Sequence, residues 1–439
     1  MIDAQTVHGS LSRYQMVDGY PLVLDLEKSH GTWLHDAKTG EEFLDCFTCF
    51  ASWPLGWNHP GMSTPEFAAD MARVAPQNPA NSDLYTVEMA RFVEAFGEHV
   101  SPAGFDHHFW VAGGSLAVEN AMKVAFDWKA RKLGITDMTA NCNDLSILHF
   151  KEAFHGRSGY TMSVTNTLPD KVGLFPKFDW PRISNPKAEF GADGTIVAGV
   201  AEAEAKCFAE IEAAFAAPGA KIAGMLIEPM QGEGGDNHFR LEFFQKLRQL
   251  ADDNEALLLF DEVQTGFFGS GKPWYWQHHG VKPDVVSFGK KSQVCGLYAG
   301  PRVDEVEDNV FHKSSRINST WGGNLVDMVR SRRFIEIIKA EGLCENVAAR
   351  GEQLVAGLRR IAVEKGGFCN VRGVGALVSF SCANADERNA LVGRMADQKL
   401  MALPCGVDSV RFRPPLTITE AEINLILEKV EAAVTTANA

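Results

Sequence analysis

The chemistry of this chain is first indicated by a lysine that follows a short apolar run. Val285–Phe288 is predicted to form a buried strand, and Gly289 then lets the chain turn before Lys290 and Lys291. Ligands of open α/β sheets bind at the carboxyl ends of the strands. A lysine that is desolvated there can lose its proton, and a neutral amine can form a Schiff base. A surface pair of basic residues is the alternative.

A carboxylate follows a second apolar run in the same way. Residues 256–260 are all apolar, Asp261 comes directly after them, and Gln264 lies just beyond. A carboxylate in a poorly solvated site needs a cationic partner, and the protonated ring nitrogen of pyridoxal phosphate is such a partner. Gln264 is a candidate hydrogen-bond donor to the phenolic oxygen of that cofactor. Asp261 could instead cap a following helix.

Two further stretches could hold the charged groups of a ligand. Gly114 and Ser115 lie where a strand-like run passes into a helical pattern, and the free amides at a helix start bind phosphate. This stretch lacks the spacing of a P-loop or a Rossmann fingerprint, and a tight turn would explain it equally. Phe154 could stack on a flat ring, and Arg157 could bind a carboxylate through its forked guanidinium.

In this order the motifs resemble those of the class III aminotransferases of fold type I, which depend on pyridoxal 5'-phosphate. The resemblance covers nearly the whole chain, and residues 288–296, 318–325 and 411–416 are most similar to the lysine 6-transaminases within the family. The Lys-Lys pair and Arg-Phe-Arg-Pro also fit 4-aminobutyrate aminotransferases. The matching motifs are Gly-Gly-Ser at 113–115, Phe-His-Gly-Arg at 154–157, Ile-Glu-Pro at 227–229, Asp-Glu-Val-Gln-Thr-Gly at 261–266, Gly-Lys at 289–290 and Ser-Thr-Trp-Gly-Gly-Asn at 319–324.

The resemblance implies a role for each residue around the cofactor. Lys290, rather than Lys291, would form the Schiff base and then move a proton between substrate and cofactor. Asp261 would keep the ring nitrogen protonated. Thr320 would bind the phosphate of the neighbouring subunit, which implies a homodimer with shared active sites. The residues implied to bind the cofactor are Gly114, Ser115, Phe154, Asp261, Gln264, Lys290 and Thr320.

The resemblance also implies how two substrates share one pocket. Arg157 would bind the distant carboxylate of either substrate, and Arg411 would bind the carboxylate beside the keto group of 2-oxoglutarate. Glu233 would neutralise Arg411 while the amino donor is bound. Asn318 is a further candidate contact to the donor, and Arg413 is the alternative to Arg411. The predicted substrate-binding residues are therefore Arg157, Glu233, Gln264, Asn318 and Arg411.

The implied function is transfer of the ε-amino group of L-lysine to 2-oxoglutarate by a ping-pong mechanism. The products would be L-2-aminoadipate 6-semialdehyde and L-glutamate. The same chemistry on 4-aminobutyrate or ornithine is an alternative, as is an aminomutase on the same fold. A binding protein that has lost catalysis is a third alternative, and the intact set of Lys290, Asp261 and Arg157 argues against it.

Residues 61–325 are predicted to position the candidate side chains. Strand-like runs alternate there with helical patterns, which is typical of a parallel sheet with helices on both faces. The resemblance implies an α/β fold: a large domain that binds pyridoxal phosphate on a mostly parallel, seven-stranded sheet. The predicted strands cover 146–150, 222–227, 256–260 and 285–288; the predicted helices cover 114–133, 197–215 and 241–254; and 163–197 is predicted to be irregular.

The segments on either side, residues 1–60 and 326–439, would form a small α+β domain. The first segment has candidate strands at 20–26, 32–35 and 42–44. The second has predicted helices at 325–340, 343–364 and 421–434, one strand over 371–382 with a bend at its glycines, and a short strand at 410–412.

Composition narrows the class of protein further. The net charge of −14 over 439 residues argues against a nucleic-acid partner. No apolar run reaches membrane-spanning length, and the polar start is not that of a signal peptide. Nine cysteines lack a regular spacing. Cys46 and Cys49 have the spacing of a metal or redox pair but no second pair, so we expect buried thiols, no metal and a reducing cytoplasm.

Overall fold

The computed structural model describes residues 2–435, and its strands form three sheets. The strands are β1 (Trp33–His35), β2 (Glu42–Asp45), β3 (His107–Val111), β4 (Leu145–Phe150), β5 (Arg182–Ile183), β6 (Lys221–Ile227), β7 (Leu257–Asp261), β8 (Val285–Phe288), β9 (Cys295–Ala299), β10 (Cys369–Val374), β11 (Leu377–Ser381), β12 (Leu400–Met401), β13 (Leu403–Cys405) and β14 (Ser409–Phe412). The helices are α1 (Val7–Leu11), α2 (Thr48–Ala51), α3 (Pro65–Val74), α4 (Val87–His99), α5 (Gly114–Lys132), α6 (Gly159–Val164), α7 (Pro169–Val172), α8 (Val200–Ala216), α9 (Leu241–Asp253), α10 (Leu325–Ala340), α11 (Leu343–Lys365), α12 (Ala385–Asp397) and α13 (Glu420–Thr435).

The largest sheet has seven strands in the order β3-β9-β8-β7-β6-β4-β5. β9 is antiparallel to both of its neighbours, and the pairs from β8 to β5 are all parallel. The predicted seven-stranded, mostly parallel sheet is therefore confirmed. Because every strand except β9 ends at the same edge, the residues that follow β3, β4, β6, β7 and β8 lie together there.

The central strands of this sheet are buried on both faces, which explains their continuous apolar sequences. Every residue of β7 and β8 is buried. Leu258 and Phe260 enter the core on the α9 side, whereas Leu257 and Leu259 enter the core on the α5 side. Burial of each such side chain contributes about 1.5–3 kcal/mol. The strand is thereby fixed from both sides, and so is Asp261 at its end.

The two smaller sheets have the orders β1-β2-β12 and β10-β11-β14-β13. β2 is parallel to β12, so the chain near residue 45 is joined to the chain near residue 400. The four-stranded sheet packs with α11 and α13 around a separate core that contains Leu358, Phe380, Phe412 and Ile426. Its strand β14 carries Arg411 into contact with residues at the carboxyl edge of the large sheet.

Two strand predictions are wrong. Residues 20–26 form no strand, and Leu24 makes only an isolated bridge to Asp36. The carboxylate of Asp36 accepts the N–H of Val23 at 2.7 Å and so replaces a strand partner. Residues 371–382 are not one bent strand but belong to the antiparallel pair β10 and β11. Gly375, with φ of +59°, makes the turn between them, where a Cβ would lie 2.7 Å from the backbone oxygen of Gly269.

The other helix and strand predictions agree with the structure to within a few residues at each end. The sequence patterns did not predict the helices α3, α4 and α12 or the strands β9, β12 and β13. Residues 163–197, predicted to be irregular, contain the short elements α7 and β5. No helix within residues 2–435 combines the length and apolarity needed to cross a membrane. The division into segments 1–60, 61–325 and 326–439 stays a prediction, and Met1 and residues 436–439 lie outside the described residues.

Candidate active site

A cavity of about 350 Å³ opens at the carboxyl edge of the large sheet. The residues around it come from the loops that follow five strands of that sheet. The lining residues are Gly114, Ser115, Phe154, His155, Gly156, Glu228, Glu233, Asp261, Val263, Gln264 and Lys290. Most of the residues predicted from the sequence are thus brought to one place.

Of the two adjacent lysines, Lys290 borders the cavity and Lys291 does not. Burial, together with the positive charge of Arg411, lowers the pKa of the Lys290 amine. A lowered pKa makes a larger fraction of the amine neutral and nucleophilic at neutral pH. Lys291 is buried elsewhere, and its Nζ donates to the backbone oxygen of Gln264 at 2.6 Å.

Asp261 is held at the end of β7 by two hydrogen bonds. Its Oδ2 lies 2.8 Å from Nδ1 of His155, and its Oδ1 accepts the N–H of Val263 at 3.0 Å. The alternative of a helix cap is not realised, because the chain turns after Asp261 without forming a helix. The side chain of His155 is fully buried against this carboxylate. The histidine fixes the orientation of Asp261.

The start of α5 has the features of an anion site. Its first-turn amides have no side-chain cap, and the Oγ of Ser115 lies 2.5 Å from that of Ser158 and 2.7 Å from Oγ1 of Thr161. A Cβ added to Gly156 would lie 2.2 Å from the Oγ of Ser115, and one added to Gly114 would lie 2.7 Å from Val263. Glycines are therefore required for this close packing around the helix end.

Glu228 joins two of the loops that line the cavity. It follows β6 and accepts the N–H groups of Phe154 at 3.0 Å and Gly232 at 3.1 Å. Burial, reinforced by the charge of Asp261, raises the pKa of Glu228 to about 7. The carboxyl group thus fixes Phe154 from one side and the glycine-rich loop from the other.

Glu233, in the same glycine-rich loop, forms an ion pair with Arg411. The Nη2 of Arg411 lies 2.9 Å from Oε2 of Glu233, and Nη1 lies 2.9 Å from Oε1 of Gln264. The second carboxylate oxygen of Glu233 pairs with Lys171. Burial raises the pKa of Glu233, but the charge of Arg411 and the hydrogen bond and charge of Lys171 outweigh it, so the pKa lies below its ordinary value.

Arg413, the alternative to Arg411, is engaged elsewhere. Its Nη2 lies 2.5 Å from Oδ1 of Asp236, and the side chains are 1% and 0% exposed. The structure therefore places Arg411, and not Arg413, beside Glu233 at the cavity. Gln264 accepts hydrogen bonds from both arginines through Oε1, which leaves its amide nitrogen as a donor.

This arrangement has a counterpart in known proteins. The sequence profile of the family described as aminotransferase class III matches residues 14–434. The chain belongs to the class III aminotransferases. An L-lysine-epsilon aminotransferase from Amycolatopsis lactamdurans is 48% identical over 434 residues, which cover 98% of this chain and 96% of that one. A mitochondrial 4-aminobutyrate aminotransferase from Rattus norvegicus is 31% identical, with 97% and 87% covered.

A solved structure supports the same family at the level of the backbone. The lysine aminotransferase from M. tuberculosis in the internal aldimine form has a TM-score of 0.93 with this chain. The two are 46% identical, and the match covers 99% of this chain and 100% of that one. The fold-type I architecture predicted for this aminotransferase is therefore confirmed.

Four predicted residues of the aminotransferase do not line the cavity of the single chain, and one of them, Arg411, lies behind Glu233 and Gln264. Arg157 is exposed, with its guanidinium 5.8 Å from the centroid of the Phe154 ring. Asn318 and Thr320 lie on an exposed segment before α10, where the backbone oxygen of Thr320 accepts from Ser82 at 3.2 Å. Within residues 2–435 these exposed side chains are therefore available to a ligand or to a second copy of the chain.

Sequence reasoning missed three residues that shape this site. His155 and Glu228 both belong to motifs that carried the family resemblance, so their neighbours were a usable signal. Lys171 lies in a stretch that is rich in proline and has no clear period, and nothing in the sequence connects it to Glu233. Its position follows only from the path of the chain through α7.

Proposed function

We propose that this class III aminotransferase moves the ε-amino group of L-lysine to 2-oxoglutarate with pyridoxal 5'-phosphate as cofactor. The products are L-2-aminoadipate 6-semialdehyde and L-glutamate, formed in two half-reactions. The observation that carries the proposal is the ion pair between Arg411 and Glu233 beside Lys290 in the cavity. The relatives named L-lysine-epsilon aminotransferase, at up to 48% identity, support lysine as the donor.

The residues around the cavity fit the cofactor. When bound, pyridoxal phosphate supplies an aldehyde that condenses with amines and a ring that withdraws electrons. Gly114 and Ser115 offer amides and a hydroxyl for its phosphate, and Asp261 offers a carboxylate for its ring nitrogen. Phe154 borders the cavity as an aromatic wall. Gln264 offers its amide nitrogen to the phenolic oxygen.

Lys290 is the residue that would hold the aldehyde of the cofactor and would move the proton. Its buried amine has a lowered pKa, so it accepts a proton from the substrate carbon and returns it without a large energetic penalty. Asp261 stays oriented by His155 throughout the reaction. Asp261 and His155 are buried, and the limited access of water strengthens the interactions of charged side chains there.

The two substrates differ in where their carboxylates lie, and two arginines accommodate these different positions. Arg157 binds the distant carboxylate of either substrate, since it lies beside Phe154 and no carboxylate within residues 2–435 forms an ion pair with it. Lysine has no group for Arg411 when its ε-amine faces Lys290, so Glu233 stays paired with Arg411. The α-carboxylate of 2-oxoglutarate takes the place of Glu233 on Arg411.

Completion of the site requires a homodimer in this proposal. Thr320 binds the cofactor phosphate of the partner, and Asn318 contacts the donor, because both belong to an exposed segment that does not reach the cavity of its own chain. All nine cysteines are free thiols, which is compatible with a reducing cytoplasm.

A donor screen tests the function directly. The holoenzyme is incubated with 2-oxoglutarate and lysine, ornithine or 4-aminobutyrate, and glutamate formation is followed. We expect the highest kcat/KM with lysine, together with a cyclised semialdehyde product. A preference for 4-aminobutyrate, which the relative from Rattus norvegicus makes the main alternative donor, would refute lysine as substrate. Turnover of an amine without any keto acid would indicate an aminomutase.

A further inference from the structure

Glu233 forms ion pairs with two cations, Arg411 and Lys171. Oε2 of Glu233 accepts from Arg411, and Oε1 pairs with Lys171 of α7. Lys171 also lies over Phe154, with its Nζ 5.5 Å from the ring centroid. The side chain of Lys171 is 18% exposed, whereas that of Arg411 is 3% exposed. The two cations therefore approach opposite oxygens of one carboxylate from different elements.

The second cation matters when Arg411 changes partner. An acceptor carboxylate that binds Arg411 must break the contact between Arg411 and Oε2 of Glu233. A half-buried carboxylate that has lost its partner is costly, so it either takes up a proton or competes for the arginine again. The contact at Oε1 is on the other side of the carboxylate and need not break when the acceptor enters.

We propose that Lys171 is the second counterion of Glu233. Lys171 keeps this carboxylate ionised and away from Arg411 while Arg411 binds the carboxylate of the acceptor. This inference rests on the proposed function, because it assumes that donor and acceptor use Arg411 differently. In the donor complex, Arg411 and Lys171 both pair with Glu233. In the acceptor complex, Lys171 pairs with Glu233 and Arg411 pairs with the carboxylate of the substrate. Lys171 is a positioning residue, since it acts through Glu233.

Other charges in the cavity do not replace Lys171 in this role. The charged or titratable groups that line the cavity or pair with Glu233 are Arg411 from β14, Lys171 from α7, Lys290 after β8, His155 after β4, Glu228 after β6 and Asp261 at the end of β7. Lys290 is the reacting amine, His155 contacts Asp261, and the two carboxyl groups offer Glu233 no positive charge. Among these groups, Lys171 is the cation that remains for Glu233 when Arg411 is occupied by a substrate.

The test is Lys171→Met, measured in the two half-reactions of the holoenzyme separately by stopped-flow absorbance. We expect the apparent affinity for 2-oxoglutarate to fall about tenfold at neutral pH, the equivalent of one pKa unit. When the acceptor opens the pair of Glu233 and Arg411 in the variant, Glu233 takes up a proton. Affinity for 2-oxoglutarate should therefore fall as pH rises, by up to about tenfold per pH unit, a dependence that the wild type lacks. The half-reaction with lysine should slow much less.

Matched variants separate this role from a structural one. Lys171→Arg should restore the acceptor affinity and remove the pH dependence, whereas Lys171→Gln should behave as Lys171→Met. Lys177→Met removes a lysine of the same loop whose Nζ binds the backbone oxygens of Val172 and Phe175, at 2.6 and 3.0 Å, and not Glu233. That control should keep the acceptor affinity independent of pH.

A double-mutant cycle identifies the partner through which Lys171 acts. In a Glu233→Gln background, Lys171→Met should add no further loss of acceptor affinity. A full additional loss would mean that Lys171 binds the acceptor directly, and an equal loss in both half-reactions without a pH dependence would mean a structural role; either result overturns the inference. The half-reaction with glutamate can be read even if lysine is not the donor, so failure of the proposed function is distinguishable.

Discussion

Replacing Glu233 by alanine separates the two half-reactions. Glu233, which pairs with Arg411, lines the cavity, and in the proposed function the donor complex keeps this pair closed. In Glu233→Ala, the one side-chain hydrogen-bond partner that Arg411 retains within residues 2–435 is Gln264, at 2.9 Å. Lysine would then have to enter a cavity in which a desolvated arginine lacks a counterion. We expect the half-reaction with lysine to slow, and the half-reaction with glutamate to hold or improve.

The size of the effect follows from burial. Removing one partner from a fully buried ion pair costs about 3–5 kcal/mol. This pair is not fully buried, since Glu233 is 23% exposed while Arg411 is 3% exposed. The remaining bond to Gln264 also relieves part of the cost. A loss of about 1.5–3 kcal/mol is therefore reasonable, which corresponds to about a 10- to 150-fold lower kcat/KM for lysine.

Stopped-flow absorbance of each half-reaction provides the measurement, with the cofactor spectrum as the signal. The control is Glu233→Gln, which keeps the shape of the side chain but not its charge and should show the same asymmetry. An equal loss with lysine and glutamate in both variants would refute the reasoning. Glu233 would then have a structural role only, and the selection between substrates would lie elsewhere.

Four other substitutions test the remaining assignments. Lys290→Ala should abolish turnover and the visible absorbance of covalently bound cofactor, and loss of that band in Lys291→Ala instead would reverse the assignment. Asp261→Asn should keep the fold but lose at least tenfold in rate, because an amide cannot hold the ring nitrogen protonated; near-normal turnover would reject this role. Thr320→Ala should weaken retention of the cofactor in its homodimer. Mixed dimers with Lys290→Ala subunits should be as active as those made with wild-type subunits if the contact crosses the interface, because their one site with Lys290 takes Thr320 from the partner; lower activity would place the contact within one chain. Asp236→Ala should lower the free energy of unfolding by about 3–5 kcal/mol in urea titrations, because it leaves the buried guanidinium of Arg413 unpaired, and an unchanged midpoint would contradict this.

The positions of Lys290 and Asp261 in the structure could be predicted because local sequence and fold agree at them. Both follow apolar runs that form buried strands, and parallel strands bring their ends to one edge. Gly114 and Gly156 also belong to motifs that are recognisable in the sequence. The structure shows why glycine is needed there, since close packing leaves no room for a Cβ at either position. A site residue could be predicted from the sequence where a single strand or helix end fixes its position.

Residues that depend on distant parts of the chain could not be predicted. The partnership of Glu233 with Lys171 joins positions 62 residues apart, and Lys171 lies in a stretch without periodicity. The strand β9 is short and pairs antiparallel within a parallel sheet, so no pattern of alternating strands and helices announces it. The error at residues 371–382 has the same origin: a hairpin and a bent strand share one apolar pattern, and only the pairing of β10 with β11 distinguishes them.

The two arginines at the end of β14 show why the sequence alone did not decide which arginine would bind a substrate carboxylate. Arg411 and Arg413 are two residues apart, so both side chains leave the same face of the strand. The loop after β6 provides a carboxylate for each, Asp236 for Arg413 and Glu233 for Arg411. The pair with Asp236 is closed off from solvent and fixes the loop, whereas the pair with Glu233 borders the cavity and shares its carboxylate with Lys171. Because the buried pair anchors the loop, the pair at the cavity can open without displacing the backbone that carries Glu233.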